Sequence, residues 1–155
     1  VVADADALVL LGEMGEPLPA TQASRVVLTP HDGEYRHLCG EAPGADRVGA
    51  TRALALRCGA VVLLKGPTTV VAHPDGRALV VASGDARLAT AGTGDVLSGI
   101  VSALCARGLE PLRAAGLGAY LHGAAARLGW RHGLVASDLP EMVPRVLDGE
   151  LPAEL

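Results

Sequence analysis

The clearest fold signal in the chain lies in residues 45–69, ADRVGATRALALRCGAVVLLKGPTT. Ala, Leu and Val recur at helical spacing through Ala45–Cys58, and Gly59 is the residue type that ends helices. The continuous apolar run Val61–Leu64 follows at once and is typical of a buried strand. A helix that leads directly into such a strand indicates a parallel sheet covered on both faces.

The flanking sequence extends this pattern in both directions. Val26–Leu28 is another short apolar run, and Val1–Ala3 resembles the end of a strand. Beyond the central strand, Val70–Ala72 and Ala78–Ala82 are separated by the turn signal HPDG, which predicts an antiparallel hairpin. We therefore predict an α/β fold, with a mostly parallel sheet to which a β-hairpin is added.

The second half of the chain is predicted to be helical. Gly116, Gly118 and Gly123 lie in the second of its helices and allow close packing, either on the sheet or at a subunit interface. The three predicted helices are Asp95 to about Ala106, Pro111–Leu128, and one from Ser137 or Asp138 with Pro140 in its first turn. A doubly wound sheet needs more strands than these, so we expect one incomplete domain.

Composition excludes several classes of protein. The 155 residues are 50% hydrophobic with a net charge of −4, which excludes a disordered tail and gives no electrostatic reason to expect nucleic acid. The opening stretch lacks a basic leader, and no charge-free apolar run reaches about 18 residues. Cys39, Cys58 and Cys105 are scattered, as expected for free thiols. We predict a cytoplasmic protein with no membrane contact.

The best chemical signal is AGTGDVLSG, residues 91–99. Backbone N–H groups of Gly92, Thr93 and Gly94 stand where a loop becomes a helix, so they form a candidate anion hole. Asp95 is badly placed as a phosphate ligand because like charges repel, but it suits a general base acting on an attacking hydroxyl. The structural alternative is that Asp95 is an N-cap and the glycines shape a turn.

Two further loops follow predicted strands. Lys65-Gly66-Pro67-Thr68-Thr69 offers an ammonium and two hydroxyls for phosphate or ribose oxygens, or is an exposed turn. In Thr29–Glu34, His31 or Glu34 contacts substrate, or the segment is a capped short helix. Asp4 and Asp6 either face the same cleft or cap the next turn. His122 is interpreted as a satisfied helix-packing histidine, and no histidine shows metal-ligand spacing.

Five segments together resemble the ADP-dependent NAD(P)H-hydrate dehydratases of the ribokinase-like superfamily. They are DADAL (4–8), VVLTPHDGE (26–34), VVLLKGPTT (61–69), AGTGDVLSGI (91–100) and AYLHG (119–123). GTGD alone is shared across the superfamily, whereas TPH-x-GE, KG-x-x-T and GTGDVLSG in this order are more specific. The match runs from residue 1 to about Leu147, and it implies a three-layer α/β/α sandwich.

The resemblance also implies an activity. Hydrated NAD(P)H is phosphorylated on its new hydroxyl at the expense of ADP, and loss of phosphate then restores NAD(P)H and leaves AMP. By position, Asp95 would be the base and would bind the hydrate together with His31. Mg²⁺ would accompany the phosphates without a protein metal site, and we expect a homo-oligomer. The adenine nucleotide would be held by Lys65, Gly66, Pro67, Thr68, Thr69 and Gly94.

The sequence departs from the family pattern at three positions. Val9 stands where the family usually has Asn, Asp32 where it usually has Pro, and Thr68 where Gly is common. Family domains also begin upstream of DADAL, so the chain is expected to be the C-terminal part of one domain. Two other hypotheses remain: a thiazole or hydroxymethylpyrimidine kinase of the same superfamily, and an inactive nucleotide-binding or assembly module.

Overall fold

The computed structural model describes residues 1–15 and 25–150. The strands are β1 Val2–Ala3, β2 Val27–Leu28, β3 Val61–Leu64, β4 Thr69–Ala72 and β5 Ala78–Val81. The helices are α1 Asp6–Met14, α2 Asp32–Cys39, α3 Arg47–Cys58, α4 Thr93–Ala106, α5 Pro111–Leu128 and α6 Leu139–Leu147. Single turns of 3₁₀-helix span Ala86–Leu88 and Ala136–Asp138.

The five strands form one sheet in the order β1-β2-β3-β4-β5. Strands β1, β2 and β3 run parallel, with Val27 opposite both Val2 and Val61. Strands β4 and β5 are antiparallel additions, joined by the predicted turn at residues 73–76. The predicted parallel sheet with an added hairpin is confirmed.

Strand β3 is buried on both faces, which explains its uninterrupted apolar sequence. Val61 and Leu63 pack in one cluster with α4 and α5, whereas Val62 and Leu64 pack in another with α1, α2 and α3. The alternation of side chains along a strand therefore divides the core into two layers. Helices cover both faces of the sheet, as the predicted three-layer α/β/α arrangement requires.

Helix boundaries differ from the predictions where capping chemistry decides them. Helix α3 begins at Arg47, because the Asp46 carboxylate accepts from the N–H of Gly49 at 2.8 Å and caps it. Helix α4 begins at Thr93, two residues earlier than predicted, because Gly92 adopts a φ of 86° and turns the chain into the helix. The residues before α6 form the 3₁₀ turn, so that helix begins at Leu139.

The small residues of α5 bring this helix close to its neighbours in the same chain. A Cβ at Gly116 would lie 2.7 Å from Leu79 of β5, and one at Gly118 would lie 2.6 Å from Val101 of α4. A Cβ at Gly123 would overlap the backbone carbonyl of Ser83. The alternative of packing on the sheet is therefore confirmed for this helix.

The half-buried Cys39, Cys58 and Cys105 are all free thiols, as expected. Burial raises the pKa of the Cys58 and Cys105 thiols. Within residues 1–15 and 25–150, no helix has the length and apolarity needed to cross a membrane.

Gly123→Ala is expected to lower the free energy of unfolding by about 2 kcal/mol, because its methyl group has no room beside the Ser83 carbonyl. Gly99→Ala on the exposed face of α4 is the matched control, since a Cβ there meets nothing within 4 Å. This control is expected to stabilise the protein by about 0.5–1 kcal/mol. Urea denaturation checks both values, and equal effects of the two substitutions would contradict the packing described for α5.

Candidate active site

The loops after the three parallel strands meet at one edge of the sheet. Asp4 follows β1, Thr29 follows β2 and Lys65 follows β3. The parallel register continues into these loops, since Thr29 N–H donates to the carbonyl of Ala3 at 3.1 Å and Lys65 N–H donates to that of Pro30 at 2.8 Å. Ligands of α/β sheets bind beyond the carboxyl ends of strands, so this edge is the candidate site.

The Lys65 ammonium lies between two carboxylates at this edge. Its Nζ is 2.9 Å from Asp4 Oδ1 and 3.5 Å from Glu34 Oε2. The second oxygen of Asp4 accepts a hydrogen bond from Ser98 Oγ of α4 at 3.0 Å. The Asp4 side chain therefore contacts Lys65 and α4, which excludes the alternative in which it caps α1, a helix with no side-chain cap.

The charge state of Asp4 follows from these contacts. Burial by itself raises the pKa of the Asp4 carboxyl, but the hydrogen bond and positive charge of Lys65 and the hydrogen bond from Ser98 outweigh it. The net result is a pKa below the ordinary value for aspartate. Asp4 is consequently a carboxylate at neutral pH, and it holds the lysine by charge as well as by geometry.

The first turn of α4 supplies free backbone donors. Gly94 and Asp95 N–H donate to no acceptor in the described residues, whereas Thr93 N–H donates to the Thr90 carbonyl at 3.3 Å. The buried Thr93 hydroxyl donates to the carbonyls of Leu88 and Thr90 at 2.7 and 2.8 Å. Thr93 thus anchors the loop before the helix, and Gly94 and Asp95 hold the N–H groups available to an anion.

Asp95 is the third residue of α4, and its side chain is exposed. Gly92, not Asp95, occupies the N-cap position, and the helix has no side-chain cap. Among the described residues, the Asp95 carboxylate has no hydrogen-bond or ion-pair partner. The N-cap alternative is therefore excluded, and a free carboxylate stands next to the Gly94 N–H.

His31 is the N-cap of α2. Its Nδ1 accepts from the N–H groups of Gly33 and Glu34 at 2.9 and 3.1 Å, and the Glu34 carboxylate accepts from His31 N–H at 2.7 Å. This reciprocal capping box shows that the segment is a capped helix, as one alternative held. The exposed ring also borders the cavity, so capping does not remove it from ligand contact.

A cavity of about 600 Å³ opens at this edge. Seven of the sequence-predicted site residues line it, together with Ala86 and Leu88 of the 3₁₀ turn and Leu97 of α4. Thr68 is exposed and, like Gly92 and Asp95, is not part of this lining. The seven are His31, Lys65, Gly66, Pro67, Thr69, Thr93 and Gly94.

His122 also lines this cavity. The prediction that its hydrogen-bonding groups are satisfied within the helix packing was wrong. Only 6% of the residue is exposed, and its Nε2 has no hydrogen-bond partner among the described residues. Burial lowers the pKa of His122 to about 4, and a backbone hydrogen bond with Thr93 acts in the opposite direction. The imidazole is therefore neutral at pH 7, and it is not the fully satisfied packing residue that the helical pattern indicated.

Sequence reasoning missed two supporting residues. The sequence offers two alternatives for Asp4, while Ser98 and Arg47 carry no signal at all. Arg47 donates from Nη2 to the Lys65 carbonyl at 2.9 Å, and its Nη1 lies 2.8 Å from the carboxylate of Asp32. The departure at Asp32 thus provides an ion-pair partner for an arginine that braces the Lys65 loop. The spacing of Asp4 and Ser98 along the chain gives no hint of their contact.

No group of three or more His, Cys, Asp or Glu within the described residues is placed to hold a metal ion. Asp4 and Glu34 both face the Lys65 ammonium, which already neutralises part of their charge.

The fold and the site describe an α/β protein with a cavity at the carboxyl edge of its sheet. Comparisons with known proteins show the family to which it belongs. The NAD(P)H-hydrate dehydratase family model matches residues 1–145, so the chain belongs to this family. The structural matches also confirm the ribokinase-like fold.

Two similar proteins agree with this family membership. The chain is 47% identical over 152 residues to the bifunctional NAD(P)H-hydrate repair enzyme Nnr of Salinibacter ruber, covering 94% of this chain and 28% of that one. It is 43% identical over 148 residues to the ADP-dependent (S)-NAD(P)H-hydrate dehydratase of Neisseria meningitidis, covering 90% and 50%.

A solved structure agrees as well. The ADP/ATP-dependent NAD(P)H-hydrate dehydratase of Bacillus subtilis, co-crystallised with ATP and Mg²⁺, superposes with a TM-score of 0.81 at 32% identity. The match covers 96% of this chain and 54% of that one. The chain thus spans about half, or less, of the length of these three proteins.

The buried imidazole makes stability depend on pH in a defined window. The His122 pKa is lower in the folded protein than in the unfolded chain, so the unfolded chain binds more protons as pH falls. His122 therefore adds no pH dependence to stability above about pH 6.5, and roughly 3 kcal/mol of stability is lost as pH falls from there to about 4.

His122→Gln is expected to abolish this part of the pH dependence, as urea midpoints measured from pH 7 to pH 4 would show. His132→Gln, at an exposed position, is the control and is expected to leave the pH profile unchanged. A parent and a His122→Gln variant that lose stability in parallel would contradict the buried neutral state.

Proposed function

We propose that the chain carries the nucleotide site and the catalytic base of an ADP-dependent NAD(P)H-hydrate dehydratase. The observation that supports it most is the cavity at the carboxyl edge of the sheet, whose lining includes both Lys65 and Gly94, the latter with an N–H that has no acceptor in the described residues. An ammonium and a helix N-terminus are both common binding groups for phosphate oxygens in proteins. Both belong to the motifs of a family whose members act on NAD(P)H hydrate.

The lining of the cavity includes both charged and apolar groups. Lys65 and Gly94 would hold the phosphates of ADP, while Pro67, Leu88 and Leu97 offer apolar surface to the nucleoside. Gly66 and Thr69 of the Lys65 loop also line the cavity. Thr68 of the same loop is exposed and outside the lining, and we retain it as a proposed nucleotide contact.

Asp95 is the proposed general base. Its carboxylate is exposed, unpartnered in the described residues and one residue from Gly94, so an attacking hydroxyl of the hydrate can approach both. Asp95 would take the proton as the hydroxyl oxygen forms its bond to the β-phosphorus of ADP, and AMP leaves. Elimination of phosphate from the phosphorylated hydrate then yields NAD(P)H. His31 borders the cavity and would contact the hydrated nicotinamide nucleotide.

Mg²⁺ supplies charge neutralisation of the nucleotide phosphates when it is bound with ADP. Lys65 and the Gly94 N–H line the same cavity and would bind phosphate oxygens that the ion leaves free. A cytoplasmic location and a homo-oligomer remain part of the proposal.

A spectrophotometric assay tests the function directly. The protein is mixed with hydrated NADH, ADP and Mg²⁺, and the absorbance of the restored dihydronicotinamide is followed. An ADP-dependent rise is expected, together with stoichiometric AMP. Phosphorylation of hydroxyethylthiazole or hydroxymethylpyrimidine without any restored NADH would instead identify a kinase, and nucleotide binding without turnover of any of these would identify an inactive module.

Asp95→Asn is expected to lower kcat by a factor of about 10²–10⁴ while ADP binds with unchanged affinity, because only the proton acceptor is lost. Lys65→Ala is expected to weaken ADP binding, because it removes the phosphate-binding ammonium. Calorimetric titration with ADP and the NADH-restoration assay separate the two effects. Identical behaviour of the two variants would contradict the assigned roles.

A further inference from the structure

Lys65, the only lysine of the chain, is fixed by a carboxylate from another strand. Asp4 Oδ1 accepts from Lys65 Nζ at 2.9 Å, and Asp4 Oδ2 accepts from Ser98 Oγ at 3.0 Å. Asp4 and Lys65 are both mostly buried, with 17% and 20% of their side chains exposed. A single carboxylate thus connects the end of β3 to the second turn of α4.

This connection places the ammonium beside the N-terminal turn of α4. A Cβ built on Gly94 would lie 3.6 Å from Lys65 Nζ and 3.7 Å from Asp4 Oδ2. The Gly94 N–H is free of acceptors in the described residues, so two phosphate-binding groups converge within a few ångströms. Their relative position depends on which carboxylate holds the lysine.

Glu34 is the competing partner for Lys65. Its Oε2 lies 3.5 Å from Lys65 Nζ, and the same oxygen accepts from the backbone N–H of His31 in α2. Without the charge on Asp4, Glu34 would be the remaining anion for the ammonium and would draw it toward α2, away from Gly94. Asp4 itself would repel a phosphate at this site, so its presence costs affinity unless it improves the placement of Lys65.

We propose that Asp4 is a positioning residue for the nucleotide phosphate, because it holds the Lys65 ammonium beside the free N–H of Gly94. This inference rests on the proposed function in that ADP is the expected ligand. The phosphate would be bound by the Lys65 ammonium, held in place before the ligand arrives, and by the N-terminus of α4. Ser98 contributes to this positioning, since its hydroxyl donates to the second oxygen of the Asp4 carboxylate and orients it.

The proposal is tested by the change in ADP affinity that Asp4→Asn causes in the parent protein and in a Lys65→Ala background. Asp4→Asn is expected to weaken ADP binding about tenfold in the parent protein, although it removes a negative charge from a phosphate site. In a Lys65→Ala background no ammonium remains to be positioned, so Asp4→Asn is expected to leave ADP binding unchanged or to tighten it several-fold. Calorimetric titration measures all four proteins, and inorganic pyrophosphate serves as a second ligand without a nucleoside.

Controls separate positioning from loss of charge and from loss of fold. Asp6→Asn removes the same charge two residues away, at an exposed position without a hydrogen bond or ion pair in the described residues, and is expected to change nothing. Ser98→Ala is expected to weaken ADP binding about threefold in the parent. Thermal melts confirm that each variant is folded at the temperature of the titration.

The single lysine gives an independent readout. Protein labelled with ¹³C-lysine has one lysine Cε signal, and that signal is expected to move in Asp4→Asn as the ammonium exchanges Asp4 for Glu34 as its partner. Two results would overturn the proposal: ADP binding in Asp4→Asn that equals or exceeds that of the parent, or equal weakening in both backgrounds, which would reveal a purely structural role. An unchanged Cε signal in Asp4→Asn would overturn it as well.

The outcomes for the proposed function are separate from these. If the parent binds pyrophosphate but not ADP, the proposed function fails, while the positioning role is still decided by the pyrophosphate titrations. If the parent binds ADP but Asp4→Asn binds it equally well, the positioning role fails and the proposed function stands. If the parent binds neither ADP nor pyrophosphate, both the proposed function and the positioning role are overturned.

Discussion

Strand β3 has no exposed side chain, and this complete burial is the constraint from which the site follows. Val61 and Leu63 face one helical layer, whereas Val62 and Leu64 face the other, so a shift of register by one residue would move every side chain into the wrong layer. The register that burial enforces also decides where the strand ends. Lys65 is the first polar residue after it, and the parallel neighbours deliver Asp4 and the His31 loop to the same edge.

Charge at this edge is arranged for placement more than for stability. A partly buried ion pair contributes little net free energy, because desolvation of both groups offsets much of their attraction. Lys65 faces two carboxylates, so the ammonium brings no excess positive charge to the edge when nothing is bound. What the pair does provide is a defined position for the ammonium, next to the first turn of α4. The proposed phosphate recognition would depend on that turn and the lysine acting together.

The main elements of the fold could be predicted from sequence, because they depend on local patterns. The apolar run of β3, the HPDG turn and the small residues of α5 each indicate one element and one kind of packing. The site was predicted only where a motif lies within one loop, as in Lys65–Thr69. Asp4 and Ser98, which are in contact, are 94 residues apart in the sequence. Arg47, the first residue of α3, donates to the carbonyl of Lys65 in the loop after β3. Contacts of this kind depend on tertiary packing, which local sequence patterns do not encode.

His122 shows why a helical pattern can mislead about a polar residue. The Ala- and Gly-rich face of α5 lies almost wholly inside the protein, so any polar side chain on it is expected to find a partner. His122 is instead a residue of the cavity lining whose buried Nε2 has no partner among the described residues. Packing explains why α5 is built from small residues, but it does not explain an imidazole at this position. An unpaired buried nitrogen costs stability, and a helical pattern, which indicates only which face is buried, cannot show whether a polar side chain on that face is satisfied.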